Sequence, residues 1–293
     1  MIGEQSKTHD GWLTHREERI RMVKKALCVG INDYPYEGSD LNGCVNDAKG
    51  WAGLLVEHYG FAQDDVKLLL DADATKANIM AHLETMVTKA KPGDVLVFTN
   101  ASHGTYVADT SGDEEKYDEA LCPYDIPDNL IVDDELRELF GKLAEGVRLT
   151  VISDSCFSGT VTRAAVSEII PGLTTPDDRR VRFLSPALMG RAVLQNPWKA
   201  TPKARTKYPE SSMKDVLLSG CTDKEYSNDA LINGAYHGAM SYYALETIRE
   251  ADYDITLQQL VTRLNYLLAE NGYNQHPQLE GKAANKKSRI FAG

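Results

Sequence analysis

The stretch RLTVISDSCFSG, residues 148–159, is an apolar run that ends abruptly in an acid, a serine and a cysteine. Its length and composition are typical of a buried strand. The position of Cys156 just after this run leaves two alternatives, a buried core thiol or a nucleophile that a substrate can reach. Four further runs of the same kind occur at 26–31, 66–70, 94–100 and 215–220.

Segments with the apolar spacing of helices separate these runs. The spacing predicts helices over 46–60, 75–90, 133–144, 238–250 and 256–271. Strands that alternate with helices form βαβ units, and such units build a mainly parallel sheet covered by helices on both faces. The sequence therefore predicts an α/β fold. A last short strand in KSRIFAG, residues 287–293, is expected to close the sheet.

The composition excludes several classes of protein. The chain has 293 residues, of which 42% are hydrophobic, and its five cysteines lack the CxxC spacing of a zinc site or a disulfide framework. A net charge of −11 disfavours nonspecific binding to nucleic acid. No apolar run is long enough to span a membrane, and the polar start lacks the apolar centre of a signal peptide. We therefore expect a cytoplasmic monomer without membrane or nucleic-acid partners.

Two segments interrupt the alternation of strands and helices. Residues 102–132 form a long acidic stretch with Gly and Pro, which predicts a functional loop. Residues 160–214 hold ten Lys or Arg against four Asp or Glu, a basic insert in an acidic chain. The predicted organisation is a polar extension at 1–23 and a single domain at 24–293, with parts at 24–159, 160–214 and 215–293.

A histidine and a cysteine follow two of the predicted strands. His103 comes after the strand that ends at Asn100, and Cys156 comes after the strand that ends at Ser153. Loops at the carboxyl edge of a parallel sheet carry its ligand sites, so the two side chains face each other if their strands are neighbours. An imidazole beside a thiol can take its proton during attack on an acyl group. The N–H groups of Gly104 and Cys156 could then form an oxyanion hole.

Several motifs resemble the caspase-like cysteine peptidases, specifically the metacaspase and bacterial orthocaspase branch. SHG at 102–104 precedes DSCFSG at 154–159, and the 53 residues from His103 to Cys156 are close to the roughly 50 found in caspases. Further similar stretches are KKALCVGINDY (24–34), LNGCVNDA (41–48), IVDDEL (131–136) and LLSGCTDKEYSNDA (217–230). The resemblance implies a caspase-like fold and an endopeptidase with His103 as general base or acid and Cys156 as nucleophile. No cofactor is needed for this chemistry.

The resemblance also implies a preference for arginine or lysine before the cleaved bond. Asp47 and Asp154 match the acids that hold this residue in metacaspases, and paired carboxylates suit a guanidinium. A helix N-terminus or a turn explains the same two acids without any substrate. The family commonly has serine two residues before the histidine, where this chain has Ala101.

A peptidase of this specificity could cut its own basic insert. A solvated loop is the alternative explanation for this segment. The candidate sites are Arg163, Arg179, Arg180, Arg182, Arg191, Lys199, Lys203, Arg205 and Lys207.

Calcium is implied only by the family, whose eukaryotic members bind it as an activator. Asp133 and Asp134 match two of its ligands, and Asp118 could join them, since hard oxygen ligands suit Ca²⁺. The same two acids are typical of a helix N-terminus, and Arg163 stands where such members have another acid. Two other functions stay open: a caspase-like scaffold or signalling module with weak or no turnover, and a different acyl reaction such as peptide ligation.

Overall fold

The computed structural model describes residues 22–108, 117–156, 179–190, 210–222 and 225–292. The other parts of the basic insert, and residues 1–21 of the predicted polar extension, lie outside the described residues. The strands are β1 (Lys24–Gly30), β2 (Val66–Leu70), β3 (Val95–Ala101), β4 (Gly104–Ala108), β5 (Tyr117–Leu121), β6 (Ile131–Val132), β7 (Arg148–Asp154), β8 (Arg180–Val181), β9 (Asp215–Ser219), β10 (Asn228–Ile232), β11 (Ala235–Gly238) and β12 (Gln278–Gly281).

Six helices lie within the described ranges. The two helices with side-chain caps begin after Thr75 and Thr256, whose hydroxyls accept from the N–H groups of Asn78 and Gln259. The helices are α1 (Cys44–His58), α2 (Lys76–Lys89), α3 (Asp133–Gly141), α4 (Ala239–Glu250), α5 (Leu257–Glu270) and α6 (Ala283–Lys286).

The central sheet has six strands in the order β12-β9-β7-β3-β1-β2, and all its pairings are parallel except that of β12 with β9. Helices α1, α4 and α5 pack on one face of the sheet, and α2 and α3 pack on the other. The α/β fold with helices on both faces is thus confirmed. No helix in the described part of the chain is long and apolar enough to cross a membrane.

The segment predicted as a loop at 102–132 is largely a small sheet. Strands β4, β5 and β6 pair antiparallel there, although residues 109–116 lie outside the described ranges. The loop prediction was wrong for these strands because β5 has no apolar alternation that would indicate a strand, since Asp118, Ala120 and Leu121 are all buried. Another small sheet has the order β11-β10-β8, and its strand β8 comes from the basic insert.

The predicted closing strand at 287–293 was also wrong. The sheet is closed by β12, which lies before that segment, and the chain turns where the strand was expected. Phe291 has a φ of 53°, which no strand allows, and it packs against Trp51 with ring centroids 6.3 Å apart. Ile290 and Phe291 are buried in the core beneath α1, and they pair with no strand of the sheet.

Register places the two predicted catalytic residues at one edge of the sheet. Strands β3 and β7 are neighbours, and Ala101 lies opposite Asp154 at their ends. His103 lies two residues after Ala101, and Cys156 lies two residues after Asp154. Helix α1 approaches the same edge closely, because a side chain at Gly30 would overlap the carbonyl oxygen of Cys44 in its first turn. The edge therefore brings together β3, β7 and the start of α1.

Candidate active site

A buried amide links the two segments that carry His103 and Cys156. Asn100 Nδ2 lies 2.9 Å from the hydroxyl oxygens of both Ser102 and Ser155. These serines immediately precede the histidine and the cysteine, and all three polar side chains are buried. Since a buried amide that donates both its protons is strongly oriented, this bridge fixes the spacing of the two loops.

The imidazole of His103 is held in one tautomer. Its Nε2 lies 2.7 Å from the carbonyl oxygen of Ser39, which can only accept, so Nε2 carries the proton. Its Nδ1 is buried and has no hydrogen-bond partner in the described structure. Burial lowers the pKa of His103 to about 4, although the Ser39 carbonyl opposes this shift. At neutral pH the ring is therefore uncharged, with Nδ1 free to accept a proton.

The thiol of Cys156 is fully buried. The N–H of Ser227 donates to its Sγ, and the side chain packs in a cluster with Tyr106, Phe183 and Cys221. His103 lies at the same sheet edge, but no hydrogen bond joins its ring to Sγ within the described residues. Such bonds often form only when a substrate is bound, so the arrangement is compatible with a dyad.

The two predicted specificity acids surround one guanidinium. Arg182, from the basic insert, is 0% exposed. Its Nη2 lies 2.6 Å from Asp47 Oδ2 and 2.9 Å from Asp229 Oδ1, and its Nη1 lies 3.3 Å from Asp154 Oδ2. Burial alone would lower the pKa of Arg182, but the surrounding anionic groups raise it well above its usual value. The arginine is therefore a charged group in a closed pocket of three carboxylates.

Backbone N–H groups hold these carboxylates in place. Asp47 accepts from Gly238 N at 2.8 Å, and Asp154 accepts from Ser241 N at 2.9 Å in the first turn of α4. The Ser227 hydroxyl also donates to Asp154. Because N–H donors and a helix N-terminus stabilise negative charge, the pocket tolerates buried acids.

Asp229 is similarly anchored, by the loop before α1. Its carboxylate accepts from the N–H groups of Asn42 at 2.8 Å and Gly43 at 3.0 Å. Burial raises the pKa of Asp47, and Arg182 opposes this shift. A side chain at Gly238 would overlap both Asp154 and the guanidinium of Arg182. Glycine at this position therefore leaves the space in which the guanidinium lies.

The main chain of Arg182 makes a second set of contacts. Its carbonyl oxygen accepts from Gly104 N at 3.0 Å and from Cys156 N at 3.1 Å. Its own N–H donates to the Ser227 carbonyl at 3.0 Å. The two N–H groups predicted to form an oxyanion hole thus converge on one carbonyl, and that carbonyl belongs to the residue whose side chain fills the acidic pocket.

The sequence analysis missed Asp229 as a pocket residue. An acid inside the short apolar strand β10 is the signal that could have identified it, because a buried carboxylate needs a partner. His237 also lies beside the pocket, with its Nδ1 3.3 Å from Asp47 Oδ1. Ser227 contacts both Cys156 and Asp154, and no spacing in the sequence indicates this.

The other four cysteines are buried thiols that form no disulfide within the described residues. Burial raises the pKa of Cys28 to about 12 and also raises that of Cys44. The pKa of Cys221 is raised by a hydrogen bond with Cys156 and by burial. All three are protonated at neutral pH, as expected of core thiols.

The acids suggested as calcium ligands do not form a metal site in the described structure. Asp133 Oδ2 lies 3.2 Å from Arg137 Nε, and Asp118 is buried in β5. No group of three possible ligands lies close enough to hold a metal within the described residues. The first turn of α3 is acidic and includes Asp134, which matches the alternative explanation of a helix N-terminus. We assign no step to calcium, and its role as an activator stays a prediction.

Comparison with known proteins identifies a family for this chain. A family model described as metacaspase, peptidase C14 domain, matches residues 24–165. Metacaspase-1 of Scheffersomyces stipitis is 33% identical over 94% of this chain and 75% of its own length. Metacaspase-9 of Arabidopsis thaliana is 32% identical over 87% of this chain and 93% of its own length.

A solved structure has a similar fold. The crystal structure of protein GSU0716 from Geobacter sulfurreducens has a TM-score of 0.68 and 26% sequence identity. The match covers 92% of this chain and 98% of that one. The resemblance first seen in short motifs thus extends over nearly the whole fold, and the chain belongs to the metacaspase family of cysteine-type peptidases.

Proposed function

We propose that the chain is an endopeptidase that cleaves proteins or peptides after arginine or lysine, with Cys156 as nucleophile and His103 as general base and acid. The observation that carries this proposal is the burial of Arg182 among Asp47, Asp154 and Asp229. A planar guanidinium can donate to several carboxylates at once, whereas the ammonium of lysine is a compact point charge. Arginine is therefore the preferred residue and lysine the second.

The chemistry follows from the positions of the donors and acceptors. Cys156 Sγ attacks the carbonyl carbon while Nδ1 of His103 takes the thiol proton, which forms a tetrahedral intermediate. The N–H groups of Gly104 and Cys156 stabilise its oxyanion. His103 then passes the proton to the leaving amine, and water hydrolyses the acyl enzyme. Ser39 supports this role, since its carbonyl keeps the proton on Nε2.

We further propose that the enzyme processes itself at the Arg182–Phe183 bond. The side chain and the carbonyl of Arg182 occupy the positions that the mechanism assigns to a substrate. Strand β8 also pairs antiparallel with β10, as an extended peptide substrate would. Cleavage would free the new C-terminus to leave the pocket, so that other substrates could enter.

A scaffold or signalling module remains the second candidate, and one observation favours it. Cys156 is completely buried in the intact chain, and the acidic pocket is filled. A protein that binds without turnover would have the same arrangement. Only measured turnover separates the two functions.

The first prediction concerns the residue before the cleaved bond. Among fluorogenic peptides that differ only at this position, we expect arginine to be cleaved fastest, then lysine, with aspartate uncleaved because three carboxylates repel it. Cys156→Ala should abolish all cleavage. Cleavage after aspartate would contradict the pocket assignment. If no peptide is cleaved, the result would favour a scaffold or signalling module without turnover.

The second prediction concerns self-processing. On a denaturing gel the incubated wild-type protein should separate into two fragments, whereas Cys156→Ala should stay at full length because it lacks the nucleophile. Arg182→Gln should lose the cut at this bond, and Arg191→Gln serves as the matched control within the same insert. An uncut wild-type chain would exclude self-processing.

The third prediction concerns pH, through the lowered pKa of His103. Between pH 6.5 and about 4 the unfolded chain binds a proton that the folded chain does not, so the free energy of unfolding falls as pH falls. This group alone should contribute a loss of about 2 kcal/mol between pH 7.5 and 5. Urea unfolding at both pH values measures it.

The comparison is best made in the Cys156→Ala background, where no self-cleavage occurs. His103→Gln should lack this part of the pH dependence, while His82→Gln, on the partly exposed surface of α2, should retain it. Equal pH dependence in His103→Gln and its parent would contradict a buried, neutral His103.

A further inference from the structure

Residues on both sides of Arg182 also lie in defined surroundings. If the Arg182–Phe183 bond occupies the place of the cleaved bond, Arg179 is the fourth residue before it (P4), Arg180 the third (P3) and Phe183 the first after it (P1′). Each of these three side chains contacts a different part of the fold. The contacts of these residues therefore indicate which side chains a substrate could have at P4, P3 and P1′, in addition to the arginine at P1.

Arg179 lies on an aromatic ring at the end of α5. Its guanidinium carbon is 4.1 Å from the centroid of the Tyr273 ring, and its Nη1 donates to the Gly272 carbonyl at 2.9 Å. Tyr273 is itself packed in the core and against Tyr243, with ring centroids 5.9 Å apart. A ring face and the carbonyl end of a helix both attract a cation. This surface therefore favours a basic side chain at P4.

Arg180 contacts the loop before α1. Its Nη1 donates to the Asp40 carbonyl oxygen at 2.6 Å, and its backbone lies opposite Asp229 in the β8–β10 pairing. A carbonyl oxygen accepts from arginine or lysine and repels a carboxylate. The P3 position is therefore also suited to a basic residue, through a single hydrogen bond.

Phe183 lies among aromatic rings beside the nucleophile. Its ring centroid is 6.1 Å from that of Tyr106 at an interplanar angle of 19°, and 6.3 Å from that of Tyr226. The side chain is buried in one cluster with Cys156. Leu184 N donates to the Gly104 carbonyl at 2.9 Å, which fixes the chain beyond the bond. A large aromatic side chain fills this space and gains both burial and ring contacts.

We propose that the enzyme selects extended substrates with basic residues at P4 and P3, arginine at P1 and an aromatic residue at P1′, and that Tyr273 determines the P4 preference. This inference rests on the proposed peptidase function and adds subsites outside the acidic pocket. The partner it describes is a protein with an exposed, extended basic segment followed by an aromatic residue.

The test is a series of internally quenched peptides built on the sequence Arg-Arg-Val-Arg-Phe-Leu, cleaved by the purified full chain. Replacement of the P1′ Phe by Ala should lower kcat/KM about tenfold, because the ring loses its buried contacts. Replacement of the P4 Arg by Ala should lower it about two- to fivefold, the usual size of a cation–π contact. Glu at P4 or P3 should lower it further.

Variants of the enzyme assign the P4 subsite. Tyr273→Leu keeps an apolar side chain but removes the ring face, so it should abolish the Arg-over-Ala ratio at P4 and leave the P1′ ratio unchanged. Tyr266→Leu is the matched control, since Tyr266 is 52% exposed on α5 and its ring faces Arg263. If Tyr273→Leu does not fold, the wild-type peptide series still tests the preferences.

The outcomes separate the two proposals. Efficient cleavage of every peptide with arginine at P1, whatever the residues at P4, P3 and P1′, would overturn this inference and leave the peptidase function intact. No cleavage of any peptide would overturn both. An unchanged P4 ratio in folded Tyr273→Leu would overturn the role of that tyrosine.

Discussion

The whole site depends on the charge balance around one buried guanidinium. Arg182 is the cation among three carboxylates, which come from α1, from the end of β7 and from β10. Removal of one partner from a buried ion pair commonly costs about 3 to 5 kcal/mol, because the remaining charge is left without compensation. The pocket therefore requires a cation whenever it is closed to water, and this requirement connects the fold to the proposed specificity.

The same interaction determines what the intact chain can do. While Arg182 fills the pocket, its carbonyl accepts both N–H groups of the proposed oxyanion hole, and Phe183 packs beside Cys156. An external peptide needs those same donors and the same acids. Before the proposed cleavage, Arg182 is held in the pocket by the continuous chain. After cleavage of the Arg182–Phe183 bond, the segment that ends at Arg182 could dissociate from the pocket. The arrangement would thus regulate access to the active site without any change in the sheet.

The sequence was sufficient for the parallel sheet and for the position of the two catalytic candidates, because strong apolar runs fix the strands and parallel strands end at one edge. It was insufficient for Asp229 and Arg182, which reach the pocket through long-range pairing of β8 with β10. The prediction of a strand at 287–293 was wrong for a related reason. Ile290 and Phe291 are as apolar as strand residues, but burial in a core does not require pairing with a strand.

Asp229→Asn gives the most direct test of the claim that three carboxylates select arginine. The change keeps one acceptor oxygen for Asn42 or Gly43 but removes a charge that faces the guanidinium. The account predicts that kcat/KM for cleavage after arginine falls about 10- to 100-fold, the usual loss for a hydrogen bond to a charged group. The Tm should fall relative to that of the control Asp252→Asn, because one partner of the buried guanidinium is lost, and a single cooperative unfolding transition shows that the variant still folds. An unchanged kcat/KM for arginine in folded Asp229→Asn would contradict the account.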